Sequence, residues 1–178
     1  MRAASLASVC LLLLAGCARP LAGEALTIQG AVQPNLAAGQ VDIRVTRPFA
    51  DGMLVFYLLR AGVSGPQPSA YCVVHVRRSW FLWHADGGGG CLPIQQGLAL
   101  QSFHPFGFGR VTGPQATYTY AEGLALDPAI SAVAVTFENG ERQVVPIEHG
   151  AFLAAIPSRS RVSLYEALDQ SGAVLYRR

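Results

Sequence analysis

The feature that most constrains this chain is a succession of short β-forming runs, each ended by turn residues and spaced about ten positions apart. The most explicit case is Asn139-Gly140, which stands between the runs 133–138 and 141–147. Tight hairpin turns need positive φ, which Gly and Asn supply with least strain, so this dipeptide predicts a β-hairpin. His149-Gly150 then turns the chain into 151–156. A second hairpin is expected where Val162 and Leu164 alternate with polar neighbours, Asp169-Gln170-Ser171-Gly172 makes the turn, and 173–176 returns.

Earlier in the chain, Val41, Ile43 and Val45 alternate with Asp42, Arg44 and Thr46, the period-two pattern of a strand with one buried and one wet face. Pro48 and then Asp51-Gly52 end that strand. Residues 53–59 are a continuous apolar run whose length suits a central strand buried on both faces better than a helix. After a break at 62–68, a third strand is expected at 71–77, and further strands at 98–103 and 116–121. Gly107-Phe108-Gly109 lacks the strand, spacing and helix of a dinucleotide fingerprint and reads as a turn. With no long stretch of helical period beyond the N-terminal residues, the expected fold is all-β, an antiparallel sandwich or barrel, with the sandwich preferred. Residues 132–175, with their alternating valines, Asn-Gly, His-Gly and Phe152-Leu153, resemble the small immunoglobulin-like modules of exported bacterial proteins. That resemblance implies a fold and not an activity.

Half of the residues are hydrophobic (51%) and 13% are charged, enough apolar surface to offset the entropy of ordering. The 178 residues allow one compact domain, expected over 40–178. The formal charge of +2 carries no nucleic-acid footprint. At the N-terminus a single cation, Arg2, precedes the apolar run 3–14, which is too short to cross a bilayer as a helix. Immediately after it, Leu14-Ala15-Gly16-Cys17 resembles the lipobox of bacterial lipoproteins. The resemblance implies a signal peptide over 1–16, removed on export behind a signal helix, and a diacylglyceryl group and acylated amine on Cys17. It implies membrane attachment by lipid outside the cytoplasm. Ala18 stands where the family often carries an aspartate for inner-membrane retention, which favours the outer membrane or the cell surface. An ordinary secretory signal cut after Ala18 is the competing reading. Residues 17–39, with Pro20, Gly23, Gly30, Pro34 and Gly39, read as a tether carrying an edge strand at 26–29.

Cys72 and Cys91 are the cysteines left once Cys10 and Cys17 are assigned to the N-terminal segment, and an even pair outside the cytoplasm predicts a disulfide. Zinc ligation by these cysteines with His75 and His84 is the rival reading. It is disfavoured because Cys72 and His75, three apart on a strand, leave opposite faces. Arg78, Trp80 and Trp83 interleave a cation with aromatics and are candidates for contact with a sugar, a hydrophobic ligand or a partner protein. A Trp packed beside the disulfide as a core filler explains one of the two indoles equally well. Gly87 to Gly90 are not followed by the Lys-Ser or Lys-Thr of a phosphate loop. No nucleophile elbow, paired-carboxylate motif or helical metal motif is present, Glu148-His149 falls at a turn, and no cofactor or metal is implied. The expected role is a non-catalytic interaction or structural module of the cell envelope. A ligand-binding envelope domain is the alternative, and a small envelope hydrolase the third reading.

Overall fold

A computed structural model describes residues 24–33, 40–49, 51–60, 68–86, 90–94, 102–112 and 117–178. The expected signal peptide, Cys17 and the strand positions 98–101 lie outside the described residues. Those described form β1 (Glu24–Ala25), α1 (Ile28–Val32), β2 (Val41–Phe49), β3 (Gly52–Arg60), β4 (Pro68–Ser79), β5 (Leu82–Ala85) and β6 (Gly90–Pro93). They continue as β7 (Phe103–Thr112), β8 (Thr117–Ala125), β9 (Ala132–Phe137), β10 (Arg142–Pro146), β11 (Ala151–Ile156), β12 (Val162–Leu168) and β13 (Val174–Arg177). No helix among the described residues is long and apolar enough to cross a membrane.

The strands make three antiparallel sheets. The first runs β1-β5-β4-β3-β2, with β6 pairing the far end of β4 on the same side as β5. The second is β11-β8-β7 and the third β10-β9-β12-β13. Named in chain order as strands A, B, C, C′, E, F and G, β7 to β13 place A-B-E against C′-C-F-G. This is an immunoglobulin-like sandwich whose fourth strand lies beside C rather than beside E. The expected hairpins build it. Phe137 and Glu141 close the Asn139-Gly140 turn, with Gly140 at φ 84°, and Gly172, at φ 83°, closes the turn between β12 and β13.

Strands β8 and β11 of the second sheet are buried on both faces. Tyr120 and Leu124 of β8, with Ala151 and Leu153 of β11, meet Val45, Phe49, Leu54, Phe56, Leu58, Tyr71 and Val73 of the first sheet. The alternate residues Ala121 and Ala125, with Phe152, Ala154 and Ile156, meet Val133, Val135, Phe137 and Ala167 of the third sheet. The molecule is therefore a sandwich with a further sheet packed on it. The outer face of the first sheet is covered in turn, because Val55, Tyr57, Cys72 and Val76 pack with Ala31 and Val32 of α1. The continuous apolar run of β3 is thus buried on both faces, as its composition requires.

Several expectations are corrected. The edge strand foreseen at 26–29 is replaced by β1 and by α1, whose first turn is capped by the Thr27 hydroxyl accepting from the Gly30 amide at 3.1 Å. Residues 24–33 thus pack on the domain instead of serving as tether. Strand β2 does not keep one apolar face, because a register shift between Ile43 and Val45 turns Val41 outward to the α1 cluster and Val45 inward. Such bulges collect on edge strands, and β2 is one. Gly107-Phe108-Gly109 is not a turn but the middle of β7, where a shift between Pro105 and Gly107 absorbs the irregular residues. Edge position again explains it, since a proline there leaves no ladder bond unmade.

Phe152 lies over Gly123, its registered partner, and a β-carbon added to Gly123 would stand 2.6 Å from the Phe152 ring and from the His104 carbonyl oxygen. The carbonyl belongs to backbone and cannot rotate aside. Gly123→Ala should therefore destabilise the fold by about 1–3 kcal/mol in urea unfolding, whereas an unchanged midpoint would contradict the close approach.

Candidate functional site

Cys72 of β4 and Cys91 of β6 face each other in register and are joined by a disulfide. Cys72 is fully buried in the cluster beneath α1, and the Tyr57 hydroxyl lies 3.9 Å from the Cys91 sulfur. The bond joins residues nineteen positions apart and closes a loop that contains the β4–β5 hairpin turn. His75 does leave the opposite face from Cys72. It is buried with its ring edge-on to Phe49 at 5.2 Å, and its nitrogens approach Asp51 and Asp86 at 3.7 and 4.0 Å. Burial pushes its pKa down, against the weaker upward pull of the two carboxylates. Arg77 ties the same carboxylates together, at 2.7 Å to Asp86 and 3.4 Å to Asp51. The group is a strap between strand ends, not a metal shell.

The two indoles part company. Trp83 is half-buried against the cluster containing Cys72, and the Arg78 guanidinium sits over its ring at 5.9 Å. Trp83 is therefore a core filler beneath α1, but not beside the disulfide, since its partner Arg78 is six positions along β4 from Cys72. Trp80 and Phe81 are the two loop residues of the β4–β5 hairpin, because Ser79 pairs with Leu82. Trp80 is 92% exposed and Phe81 61%. Strand β1 runs beside β5, with Ala25 opposite Trp83, so the next residue, Leu26, continues toward the same tip and is 74% exposed. Trp80 also has φ 58°, in the left-handed region. Positive φ at the first loop residue alone follows the type II′ pattern, where glycine is the ordinary occupant. The three candidate ligand-contact residues thus form no common cleft: Arg78 covers Trp83, and Trp80 stands free beyond them.

Glu148 and His149 sit at a turn, as expected, with His149 at φ 48°. They do not act on each other. Arg47 ion-pairs with Glu148, Arg44 donates to the His149 carbonyl at 2.8 Å, and the His149 ring contacts the Arg44 carbonyl at 3.2 Å. The pair fastens the edge of β2 to the start of β11.

One group escaped the sequence reading. Glu122 lies on β8 between Tyr120 and Leu124, on the face turned to the first sheet, and is buried, with its Oε2 lacking a hydrogen-bond partner among the described residues. Burial raises its pKa to about 8, so it is a neutral acid at pH 7. Its negative form in turn helps burial to raise Tyr71, Tyr120 and Tyr165. The signal was present in the alternation of Tyr118, Tyr120 and Leu124, which continues past the expected strand end at 121 and places Glu122 inside. Across the β7 bulge, Gly107 is its registered partner, and the Tyr165 hydroxyl donates to the Gly107 carbonyl. A cleft of about 430 Å³ opens there between Phe103–Gly107, Val162, Ser163, Tyr165 and Arg178. None of the residues singled out as ligand contacts lines it.

Comparison with protein-family models, curated proteins and solved structures found no match to this chain.

Two outcomes follow from this geometry. Replacing Cys72 and Cys91 together by Ala should lower stability by about 3 kcal/mol on the chain-entropy relation, measured by denaturant unfolding, and an unchanged stability would deny the bond. Glu122 holds its proton to about pH 8 when folded but loses it near 4.5 when unfolded. Between those values its contribution to stability falls as pH rises, by up to about 1.4 kcal/mol per unit. His75, kept neutral by burial, works the other way as pH drops below 6.5. Glu122→Gln should therefore gain on the wild type progressively from pH 5 to about 8, and a difference in melting temperature that does not vary with pH would contradict the buried neutral acid.

Proposed function

We propose that this chain is an exported lipoprotein, anchored through Cys17, whose β domain serves the cell envelope as a non-catalytic interaction or structural module. The observation that carries the reading is the lipobox-like Leu14-Ala15-Gly16-Cys17 placed only seven residues ahead of Glu24, the first residue of β1. A fully extended stretch of that length reaches about 25 Å, so acyl chains on Cys17 would hold the domain against a membrane surface, not at a distance from it. Two or three acyl chains make such attachment durable where one would not. The disulfide supports an extracytoplasmic location, because such bonds persist in oxidising compartments. The exposed Trp80, Phe81 and Leu26 supply an apolar surface suited to interaction. Placement at the outer membrane or cell surface follows the alanine at position 18.

Binding of a sugar or a hydrophobic ligand is the second reading, favoured by the Arg78–Trp83 stack. It requires the hairpin to rearrange so that both indoles line one concavity.

Intact mass spectrometry of the membrane-fraction protein tests the main reading. The expected species begins at Cys17, carries added acyl mass and shifts to an unprocessed chain in Cys17→Ser. A chain beginning elsewhere without acyl mass would overturn it.

A further inference from the structure

We propose that the β4–β5 hairpin tip is a membrane-contacting element: Trp80, Phe81 and Leu26 enter the interfacial layer of the same bilayer that holds the Cys17 lipid. The inference rests on the lipoprotein reading and adds to it a definite orientation of the domain.

The chemistry of the tip is that of an interfacial anchor. Indole and phenyl rings partition to the headgroup level, where an apolar body and a polar edge are both satisfied, and leucine adds hydrocarbon. Arg78 is exposed, and among the described residues no carboxylate pairs with it, so its charge is available to lipid phosphates. Arg77, its neighbour, is already committed to Asp51 and Asp86.

The backbone gives a second, independent indication. A bulky aromatic occupies a left-handed turn position that glycine fills without strain, yet Trp80 makes almost no contact with the fold, being 92% exposed. Folding gains nothing from a tryptophan there.

The tip is also convex. A small ligand needs a concave site that surrounds it, and a protein partner ordinarily covers about 800 Å² on each side. Two aromatics and a leucine offer on the order of 400–500 Å², too little for a stable protein interface but sufficient for shallow insertion.

The tether allows both contacts at once. Glu24 is opposite His84, three strand positions from Phe81, or about 10 Å from the tip. The seven residues back to Cys17 reach about 25 Å, more than enough to bring lipid and tip to one plane. With the domain already tethered, insertion becomes an intramolecular step, so even a weak affinity of the tip orients the molecule.

The chain has two tryptophans, Trp80 and Trp83, which makes fluorescence selective. The acylated protein, purified from membranes, is reconstituted into phosphatidylethanolamine–phosphatidylglycerol vesicles with bromine at a shallow acyl position, and intact mass is read on the same sample. The expected result is at least a twofold loss of emission to bromolipid and little loss to aqueous iodide, with the bromolipid effect abolished in Trp80→Phe. Acylated protein whose emission ignores bromolipid and is quenched by iodide keeps the anchor and overturns the tip contact. Bromolipid quenching that survives in Trp80→Phe assigns the contact to Trp83 and likewise overturns it. Absence of acyl mass overturns the lipoprotein reading and this inference together.

Discussion

The structure depends on the burial of β8 and β11, two strands of the second sheet, on both of their faces. Antiparallel sheets commonly keep one wet face, and a sheet that gives up both must find apolar or small residues at nearly every position. Strand β8 does so from Thr119 to Ala125, where every residue is buried. Its two faces divide by size. Tyr120 and Leu124 point to the first sheet, while Ala121, Gly123 and Ala125 lie toward the third. Strand β11 complements it by giving Phe152 and Ile156 to the side where β8 is small. Phe152 can lie flat over Gly123 only because that position lacks a side chain. The same two-sided burial traps Glu122, the only acid placed at such a position on β8, and forces it to stay protonated at neutral pH.

Much of this was legible in the sequence because strand periodicity is a local signal. The Asn139-Gly140 turn, the His149-Gly150 turn and the paired strands around Asp169 to Gly172 each declare themselves through residues that positive φ demands, and the structure uses all three. The apolar run of β3 likewise announced burial on both faces. What the sequence hid was non-local. Nothing near β11 says that it leaves the sheet of its hairpin neighbours to pair with β8, an exchange decided by which faces need cover. The Gly- and Pro-rich β7 resembles a loop because an edge strand has few ladder bonds to keep, and the β2 bulge inverts a pattern that reads as uniform alternation. The short helix α1 has only five residues, too few for a helical period to emerge from its Gly- and Ala-containing surroundings.

The candidate site was legible in part for the same reason. Cys72 and Cys91 could be paired from count and compartment, and the structure seats them opposite each other on neighbouring strands. Arg78, Trp80 and Trp83 stand close together in sequence. Placement of Trp80 in the hairpin loop and of Trp83 on β5 gives them opposite fates: Trp83 packs against the cluster beneath α1 and Trp80 projects. That division leaves a protruding tip beside β1. The disulfide closes the loop that bears the tip.

The claim that the second sheet is the common core of three layers is tested most directly by native-state hydrogen exchange. The amides of β8 and β11, sealed from both sides, should exchange only through global unfolding and therefore be the slowest in the protein, with protection near the full unfolding free energy. Those of the peripheral β1, β10 and β13 should exchange earlier, through local opening. If β8 and β11 exchange as fast as these edges, the second sheet is not held between two cores, and the layered architecture is wrong.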